Sequence, residues 1–435
     1  MMKNCIESTS ADSLSGAIFA LEGIQDSCVV LNGPTGCKFY HSTISDKQYP
    51  WRTPSQEALP LESKLLGGSG RVPCTYLDGY DYVYGCGNKL TDLLRILAKG
   101  NYKLLAIVNS PGAALIGDDL EKFLQQEIKI PCFAVENTGF SGQFADGYQN
   151  AWLKAFTVLP LAPRKIRPKT VNLLGFCLYQ KYYEGNVQEL KRLLALCGIE
   201  VISAPGAGDK VATVCQLTEA EYNVVVYPEY GLKLAEKLQA THQMPYLVPE
   251  EGVPVGFAAT ESFVRQVCQA VGANPEPALE DLAKTRARAY LLLSRFSSLL
   301  GLPKGSLFSV RGESSLAYPL TKWLCTYLGM IPAAVNTSQE AAEFKDKLEG
   351  FLGQIHYQGV LANPVYQTET QLAFADGTTI AQLRLQGRFV SGIEIALPTL
   401  GYLDFVEKTI LGANGALFLL EQTVNGLRYL RVQEN

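Results

Sequence analysis

Histidine is scarce in this chain and long hydrophobic runs are missing, and each absence excludes a class of protein. The three histidines lie far apart, at His41, His242 and His356, which disfavours a histidine-rich zinc or non-haem iron site. Lys, Arg, Glu or Gly interrupts the longest apolar runs well before about 18 residues, so no membrane-spanning helix is expected. The N-terminus lacks the basic and apolar regions of a secretory signal. We therefore expect a cytoplasmic protein.

Positive charge is not in excess either. The 435 residues include 38 Lys and Arg against 42 Asp and Glu, which gives a net charge of −4. Nucleic-acid binding needs clustered basic residues, so no nucleic-acid partner is expected. The sequence also contains no G-x-x-x-x-G-K-[ST] phosphate loop, and we do not expect this chain itself to hydrolyse ATP.

The 11 cysteines are the more informative part of the composition. In a reducing compartment they are packing residues, metal ligands or reactive groups rather than a disulfide framework. Most of them lie inside apolar helix or strand patterns and are assigned to the core: Cys28, Cys132, Cys177, Cys197, Cys215, Cys268 and Cys325. The patterns around Cys5 and Cys74 leave their roles open.

Strand-like runs alternate with amphipathic helical stretches over most of the chain, which predicts an α/β protein with parallel sheets. A basic, proline-marked stretch, "LAPRKIRPKT", and a second stretch, "ANPEPALED", separate three units. We place the domains at residues 1–165, 166–285 and 286–435. Near the C-terminus Asp376 and Gly377 form a hairpin-turn signal, so one antiparallel excursion is expected there.

Three predicted buried strands of the first unit end in small or turn-forming residues: "CVVLNG", "YDYVYGCG" and "LLAIVNSPG". Cys37, Cys86 and Ser110 fall at or just beyond these ends. Ligands of open α/β sheets bind at the carboxyl ends of strands. The two cysteines also have glycine beside them, which lets the backbone approach a bulky iron–sulfur cluster. The alternative is that both are small buried residues at tight turns.

The order of "GPTGC", "YGCGNKL" and "IGDDL" resembles the component 1 proteins of the nitrogenase superfamily. That group includes the molybdenum–iron protein subunits, their cofactor-assembly scaffold, and the dark-operative protochlorophyllide, chlorophyllide and nickel-sirohydrochlorin reductases. The resemblance implies three Rossmann-like domains with parallel sheets over nearly the whole chain. It matches Cys37 to a cluster cysteine, while Cys86 replaces a glycine that is usual in the family.

Two further family positions are occupied by oxygen-bearing residues. Ser110 stands near the place of a third cluster cysteine. Asp12 stands where the earliest cysteine is expected, and an aspartate cluster ligand is known in the protochlorophyllide branch. Asp12 could equally be a helix N-cap before "SLSGAIFALEG". The resemblance therefore implies metal ligation by Cys37. Since it supplies only one standard cluster cysteine, we predict that the unusual Cys86 is a second metal ligand, with Asp12 and Cys74 as further cofactor-binding candidates.

By this resemblance the chain is expected to be a reductase component with an iron–sulfur cluster, [4Fe–4S] or a larger P-cluster-like form, at a subunit interface. The expected partners are an ATP-dependent, nitrogenase iron protein-like reductase and a second component 1-like chain, in a homodimer or heterotetramer. Tyr40, His41 and Asp46 are candidate proton donors by position. No match exists to the cysteine and histidine that hold the nitrogenase cofactor, so dinitrogen reduction is not expected. A metallocofactor assembly scaffold and a metal-free ligand-binding protein remain alternatives.

Overall fold

A computed structural model describes residues 11–38, 72–136, 139, 142–396 and 406–433. The candidate proton donors between residues 40 and 46 lie outside this part of the chain. Two compact units are present. Unit 1 comprises Met1–Ile166, Ser203–Glu219 and Glu236–Gln243, and unit 2 comprises Arg167–Ile202, Ala220–Ala235 and Met244–Asn435.

The first sheet lies in unit 1 and has the strand order β1-β2-β3, with both pairs parallel. Strands β1 and β2 are buried along their whole length, which explains why both appear in the sequence as unbroken apolar runs. The elements are α1 (Ser13–Glu22), β1 (Ser27–Asn32), α2 (Gly79–Tyr84), α3 (Gly87–Leu97), β2 (Leu104–Asn109), α4 (Pro111–Ala114), α5 (Leu120–Glu127), β3 (Cys132–Val135) and α6 (Phe144–Val158).

Two further sheets follow, with the strand orders β5-β4-β6-β7 and β11-β10-β8-β9. Their elements are β4 (Arg167–Leu174), α7 (Tyr183–Leu196), β5 (Glu200–Ser203), α8 (Val211–Cys215), β6 (Ala220–Val225), α9 (Pro228–His242), β7 (Tyr246–Leu247), α10 (Gly256–Ala270), α11 (Glu276–Leu300), β8 (Leu307–Gly312), α12 (Ser314–Thr326), β9 (Ile331–Thr337), α13 (Ala342–Gln354), β10 (Leu372–Asp376), α14 (Gly377–Leu385), β11 (Ser391–Ala396) and α15 (Gly412–Gln433). The predicted α/β class with parallel sheets is confirmed. Within the described part of the chain, no helix is both long and apolar enough to cross a bilayer.

One predicted strand is a helix. The alternating tyrosines of "YDYVYGCG" suggested a strand, but Gly79–Tyr84 forms α2. The Asp78 carboxylate accepts from the N–H groups of Tyr80 and Asp81, and the Asp81 carboxylate accepts from the N–H of Asp78. This reciprocal capping box satisfies the first donors of the helix and fixes its start.

The predicted antiparallel excursion near the C-terminus is also wrong. Asp376 is the N-cap of α14, and its carboxylate accepts from the backbone N–H of Thr379 at 2.9 Å. Strand β10 pairs with β11 and with β8 in parallel. The Asp-Gly pair therefore begins a helix instead of a hairpin, because an aspartate at that point satisfies helix donors as readily as it favours a turn.

Helices α1 and α6 pack closely in unit 1 through two glycines. A Cβ atom on Gly147 would overlap the carbonyl oxygen of Ser13, and one on Gly16 would overlap the carbonyl oxygen of Phe144. The two backbones approach more closely than any side chain would allow. This contact fixes the position of the N-terminal end of α1, where Asp12 lies.

We expect Gly147→Ala to lower the free energy of unfolding by about 1–3 kcal/mol, because the added methyl group overpacks this contact. The matched control is Gly350→Ala in α13, where a Cβ would meet no atom within 4 Å. That substitution should raise stability by about 0.5–1 kcal/mol, since alanine is the better helix former. Urea denaturation measures both, and equal effects would contradict the close approach of α1 and α6.

Candidate functional site

A buried asparagine organises the carboxyl edge of the first sheet. The Asn32 side-chain amide, at the end of β1, donates to Asn109 Oδ1 at 2.9 Å and lies 3.6 Å from Cys86 Sγ. Its oxygen accepts from the Thr75 hydroxyl at 2.8 Å. The Thr75 oxygen in turn accepts from the backbone N–H of Gly33 at 3.0 Å. One side chain thus joins β1, β2 and the segment that carries Cys74.

Cys37 lies just beyond the end of β1, in a helical stretch after Pro34 that is described as far as Lys38. Its thiol is half-buried and forms a hydrogen bond with Ser110, the residue that follows β2. Burial raises the pKa of the Cys37 thiol, the Ser110 hydroxyl lowers it, and the charge of Asp12 raises it. Among the described residues, no atom lies within 4 Å of where a Cβ on the neighbouring Gly36 would be.

Cys74 is brought to the same edge by a segment that runs beside β1. Leu31 and Cys74 form an isolated parallel bridge, and the Cys74 sulfur lies 3.2 Å from the carbonyl oxygen of Gly33. Burial raises the pKa of the Cys74 thiol to about 11, while the nearby ammonium of Lys38 lowers it and the charge of Cys37 raises it. Cys74 and Cys37 therefore both lie beside Gly33, where a Cβ atom would be 3.6 Å from the Cys37 Cβ.

Asp12 caps α1 and also faces the thiol site. Its Oδ1 atom accepts from the Ser15 N–H at 3.0 Å and from the Ser15 hydroxyl at 2.9 Å. The predicted N-cap is therefore present. The same carboxylate is close enough to Cys37 to raise the pKa of that thiol, so the two interpretations of Asp12 do not exclude each other.

Cys86 is placed in the apolar core behind Asn32, with only 1% of its surface exposed. Burial, aided by the Asp118 carboxylate, raises the pKa of its thiol to about 12. The Asp118 carboxylate also accepts from the backbone N–H of Cys86 at 2.7 Å. The structure therefore groups Cys37 with Cys74, Ser110 and Asp12, and gives Cys86 different neighbours.

The motifs "YGCGNKL" and "IGDDL" contact each other at this edge of the sheet. Asp118 of "IGDDL" holds the turn of "YGCGNKL" through Cys86. Lys89 of the same motif binds Asp78 at 2.8 Å and Asp81 at 2.6 Å, and donates to the carbonyl of Tyr76 at 3.2 Å. These contacts fix the polypeptide on either side of the site. Spacing along the sequence gave no sign of this pairing.

An exposed apolar surface adjoins the thiols. Burial raises the pKa of the Tyr82 hydroxyl, and the nearby charges of Cys37 and Cys74 raise it further. Around it, large apolar side chains of α2 and the end of α4 are exposed: Tyr80 (67%), Val83 (71%), Tyr84 (72%) and Leu115 (87%). We name this group the tyrosine patch. A cluster of such residues in water is typical of a surface that another molecule covers.

The thiols at the carboxyl edge of the first sheet fit part of an iron–sulfur site. Thiolates are the ligands of such clusters, and four are needed for a [4Fe–4S] cube. Cys37 and Cys74 supply two. Among the described residues, no three His, Cys, Asp or Glu side chains come together as a metal site. Cys37 and Cys74 are therefore half of the thiolates that a [4Fe–4S] cube takes.

Unit 2 contains a second group of ionisable residues, which the sequence did not reveal. Glu229 follows β6 and accepts from Ser314 Oγ at 2.8 Å and from both the N–H (2.8 Å) and the hydroxyl (2.7 Å) of Ser315. Glu313 follows β8 and accepts from the Tyr230 hydroxyl at 2.8 Å. Its second oxygen, Oε2, has no hydrogen-bond partner in the described part of the chain. A glutamate at the start of the helix that follows each of two strands was the available signal.

Most of the cysteines assigned to the core are indeed buried: Cys28, Cys177, Cys197, Cys215 and Cys268. Cys132 and Cys325 are half-buried. Cys5 lies outside the described residues.

The chain is similar to several known proteins. A family model described as nitrogenase component 1 type oxidoreductase matches residues 13–428. A light-independent protochlorophyllide reductase chain from Methylocella silvestris is 32% identical over 144 residues, which are 33% of this chain and 27% of that relative. The matches to the corresponding reductase chains of Rhodopseudomonas palustris and a Methylobacterium strain cover 21% and 24% of those relatives.

Longer matches involve nitrogenase itself. The molybdenum–iron protein beta chain of Methanococcus maripaludis is 21% identical over 96% of this chain and 94% of its own length. A solved structure described as "Nitrogenase Cp1 at pH 6.5" superposes with a TM-score of 0.77 at 18% identity, covering 98% of this chain and 94% of that one. This superposition shows a shared fold and confirms the predicted three-domain α/β architecture.

Replacing Asp12 by Asn keeps an N-cap but removes the charge that raises the pKa of Cys37. The thiolate fraction at pH 8 should therefore increase. We expect iodoacetamide to modify Cys37 several-fold faster in the iron-free Asp12→Asn variant than in the wild type. Peptide mass spectrometry measures the rate. Asp119→Asn, which changes the N-cap of α5, should leave the rate of Cys37 modification unchanged. Equal rates in all three proteins would show that Asp12 acts only as a helix cap.

Stability should depend on pH through Glu313, because burial raises the pKa of this carboxyl to about 7. Between the ordinary pKa of 4.5 and about 7, the native state holds a proton that the unfolded chain has lost, so stability falls as the pH rises. Glu313→Gln mimics the protonated form. The stability of the wild type relative to this variant should fall by on the order of 3 kcal/mol across that range. Urea denaturation at each pH tests this, and a constant difference would contradict it.

Proposed function

Since the chain belongs to the nitrogenase component 1 type oxidoreductase family, we propose that it is a reductase component that receives low-potential electrons at an iron–sulfur cluster shared with a second chain. The observation that carries the proposal is that Cys37 and Cys74 both lie beside Gly33, at the carboxyl edge of the first sheet. The Cys74 sulfur is 3.2 Å from the Gly33 carbonyl oxygen, and a Cβ on Gly33 would lie 3.6 Å from the Cys37 Cβ. The tyrosine patch adjoins them through Tyr82. The thiols supply the ligands, and the patch supplies a surface for the second chain.

The residues of this chain have distinct parts in such a site. Cys37 and Cys74 would hold iron as thiolates. Both thiol pKa values are raised in this structure, so binding of iron would displace their protons. The Ser110 hydroxyl favours the thiolate form of Cys37, and the Lys38 ammonium favours that of Cys74. Both would offset the negative charge of the thiolates. When bound, an iron–sulfur cluster supplies one-electron transfer at a potential set by charge, hydrogen bonds and burial.

The second chain is a requirement of ligand number. Two thiols from this chain are half of the four that a cube takes, and a two-fold axis beside the site would supply the other half from an identical or related chain. Covering the tyrosine patch would also remove water from the site. The partner is a second component 1-like chain, in a homodimer or a heterotetramer.

Electrons would come from a separate protein. The chain carries no phosphate loop, so ATP-driven delivery of electrons would depend on an iron protein-like reductase that docks on the assembly. The substrate is a small molecule or cofactor other than dinitrogen. Consumption of ATP that depends on both the reductase and this substrate would distinguish a catalytic component from an assembly scaffold.

We expect Cys37→Ala and Cys74→Ala, purified without oxygen, to lose most of their bound iron, because each removes a thiolate ligand. The matched control is Cys132→Ala, since Cys132 is also half-buried and lies in unit 1. It should keep the iron content of the wild type. Elemental analysis and electron paramagnetic resonance measure the content and the type of cluster.

Equal iron in Cys37→Ala and Cys132→Ala would contradict ligation by Cys37. Ligation by Cys86 stays a prediction, and Cys86→Gly tests it in the same assay: loss of iron supports a ligand, and an unchanged spectrum makes Cys86 a packing residue. Sedimentation of the iron-loaded protein tests the shared site. A monomer with its full complement of iron would contradict it.

A further inference from the structure

A cleft in unit 2 has the features of a ligand site. Helices α10 and α11 and Tyr327, at the end of α12, line a half-open cleft of about 530 Å³. A smaller cavity of about 130 Å³ adjoins it and shares Arg286 and Tyr327 with it. Cavities of a few hundred Å³ between helices, with mostly apolar walls and a few polar groups, are typical of sites for small organic molecules.

The walls of the larger cavity are apolar and aromatic apart from three charged residues. Leu279, Leu282, Ala283, Ala287, Tyr290 and Tyr327 supply the apolar surface, and Glu261, Arg265 and Arg286 supply the charges. Tyr327 is held in place by its neighbours, because its ring stacks on Trp323 at 6.0 Å between centroids and meets the edge of Phe257 at 5.3 Å. The aromatic part of the wall is therefore preorganised.

Arg286 differs from the other cations around the two cavities. Arg265 binds Glu261 at 2.9 Å, and Lys322 binds Glu251 at 2.6 Å. The Arg286 guanidinium lies over the rings of Phe257 and Tyr327, at 5.6 and 6.0 Å from their centroids. Within the described part of the chain it has no carboxylate partner. A stacked guanidinium keeps its planar set of donors available for an external anion.

We propose that this cleft binds a small organic carboxylate, whose charge pairs with Arg286 and whose apolar body lies against Leu282 and Tyr327. The acidic group in the wall, Glu261, is already neutralised by Arg265, so the remaining charge of the cleft selects an anion over a cation. The apolar walls favour an aromatic or aliphatic carboxylate over a bare inorganic ion. All of the residues that line this cleft belong to unit 2.

The test uses 2-naphthoate as the probe and the uncharged 2-naphthylmethanol as its matched control, with binding to the full chain measured by calorimetry. We expect the wild type to bind the carboxylate about tenfold or more tightly than the alcohol, which is the range of a charge-assisted hydrogen bond. Arg286→Gln should abolish this preference without changing the affinity for the alcohol. Arg286→Lys should keep part of it, because it retains the charge and loses the paired donors.

Arg288→Gln is the control for net charge, since Arg288 is an exposed cation of the same helix that does not line the cleft. It should bind both probes like the wild type. Ala287→Trp, at an exposed position of the cavity wall, should obstruct the cleft and weaken both probes. Equal affinity of the carboxylate for the wild type and Arg286→Gln would overturn the proposal, as would the absence of binding to the wild type. A change in sedimentation of Arg286→Gln without a change in probe binding would identify a protein interface instead.

Discussion

The carboxamide of Asn32 connects three segments that are distant in sequence. It joins the end of β1 to β2 through Asn109, to the Cys74 segment through Thr75, and to the start of α3 through the Cys86 sulfur. Asn32 is 1% exposed, so an amide that lost these partners would bear a desolvation cost of about 1–3 kcal/mol. This side chain contacts Cys86 directly and reaches the Cys74 segment through Thr75, so it holds together the elements that carry these two cysteines.

The thiols around this centre are held as neutral groups. Burial is the largest effect on the pKa of each of the three, and in all three the pKa is raised. Neutral, half-buried or buried thiols react slowly with oxidants and alkylating agents, whereas a metal competes effectively for them because it replaces the proton. The environment therefore suits cysteines that ligate iron or pack, and it does not suit nucleophilic catalysis.

In unit 2, carboxyl groups lie beyond the strand ends, where unit 1 has Cys37 and Ser110. Glu229 and Glu313 follow β6 and β8, in the position along the fold that Cys37 and Ser110 have after β1 and β2. Polar groups collect beyond strand ends because loop and helix-start N–H groups there provide partners, as the N–H and hydroxyl of Ser315 do for Glu229. Such buried carboxyls are costly unless they are hydrogen-bonded or protonated, and Glu313, with one oxygen bonded to Tyr230, meets both conditions near neutral pH.

The local sequence alone was enough to predict the α/β class, the strands that precede Cys37 and Ser110, and the cap at Asp12, because hydrophobic periodicity and capping chemistry act over a few residues. It misassigned Gly79–Tyr84, where alternating tyrosines resembled a strand, and Asp376, where a helix start resembled a turn. Only the tertiary structure decided that Cys74 joins Cys37 while Cys86 lies behind Asn32. It also placed Glu229 on the serines that follow Glu313. These pairings join residues dozens of positions apart, and they depend on strand register and helix packing, which no local pattern specifies.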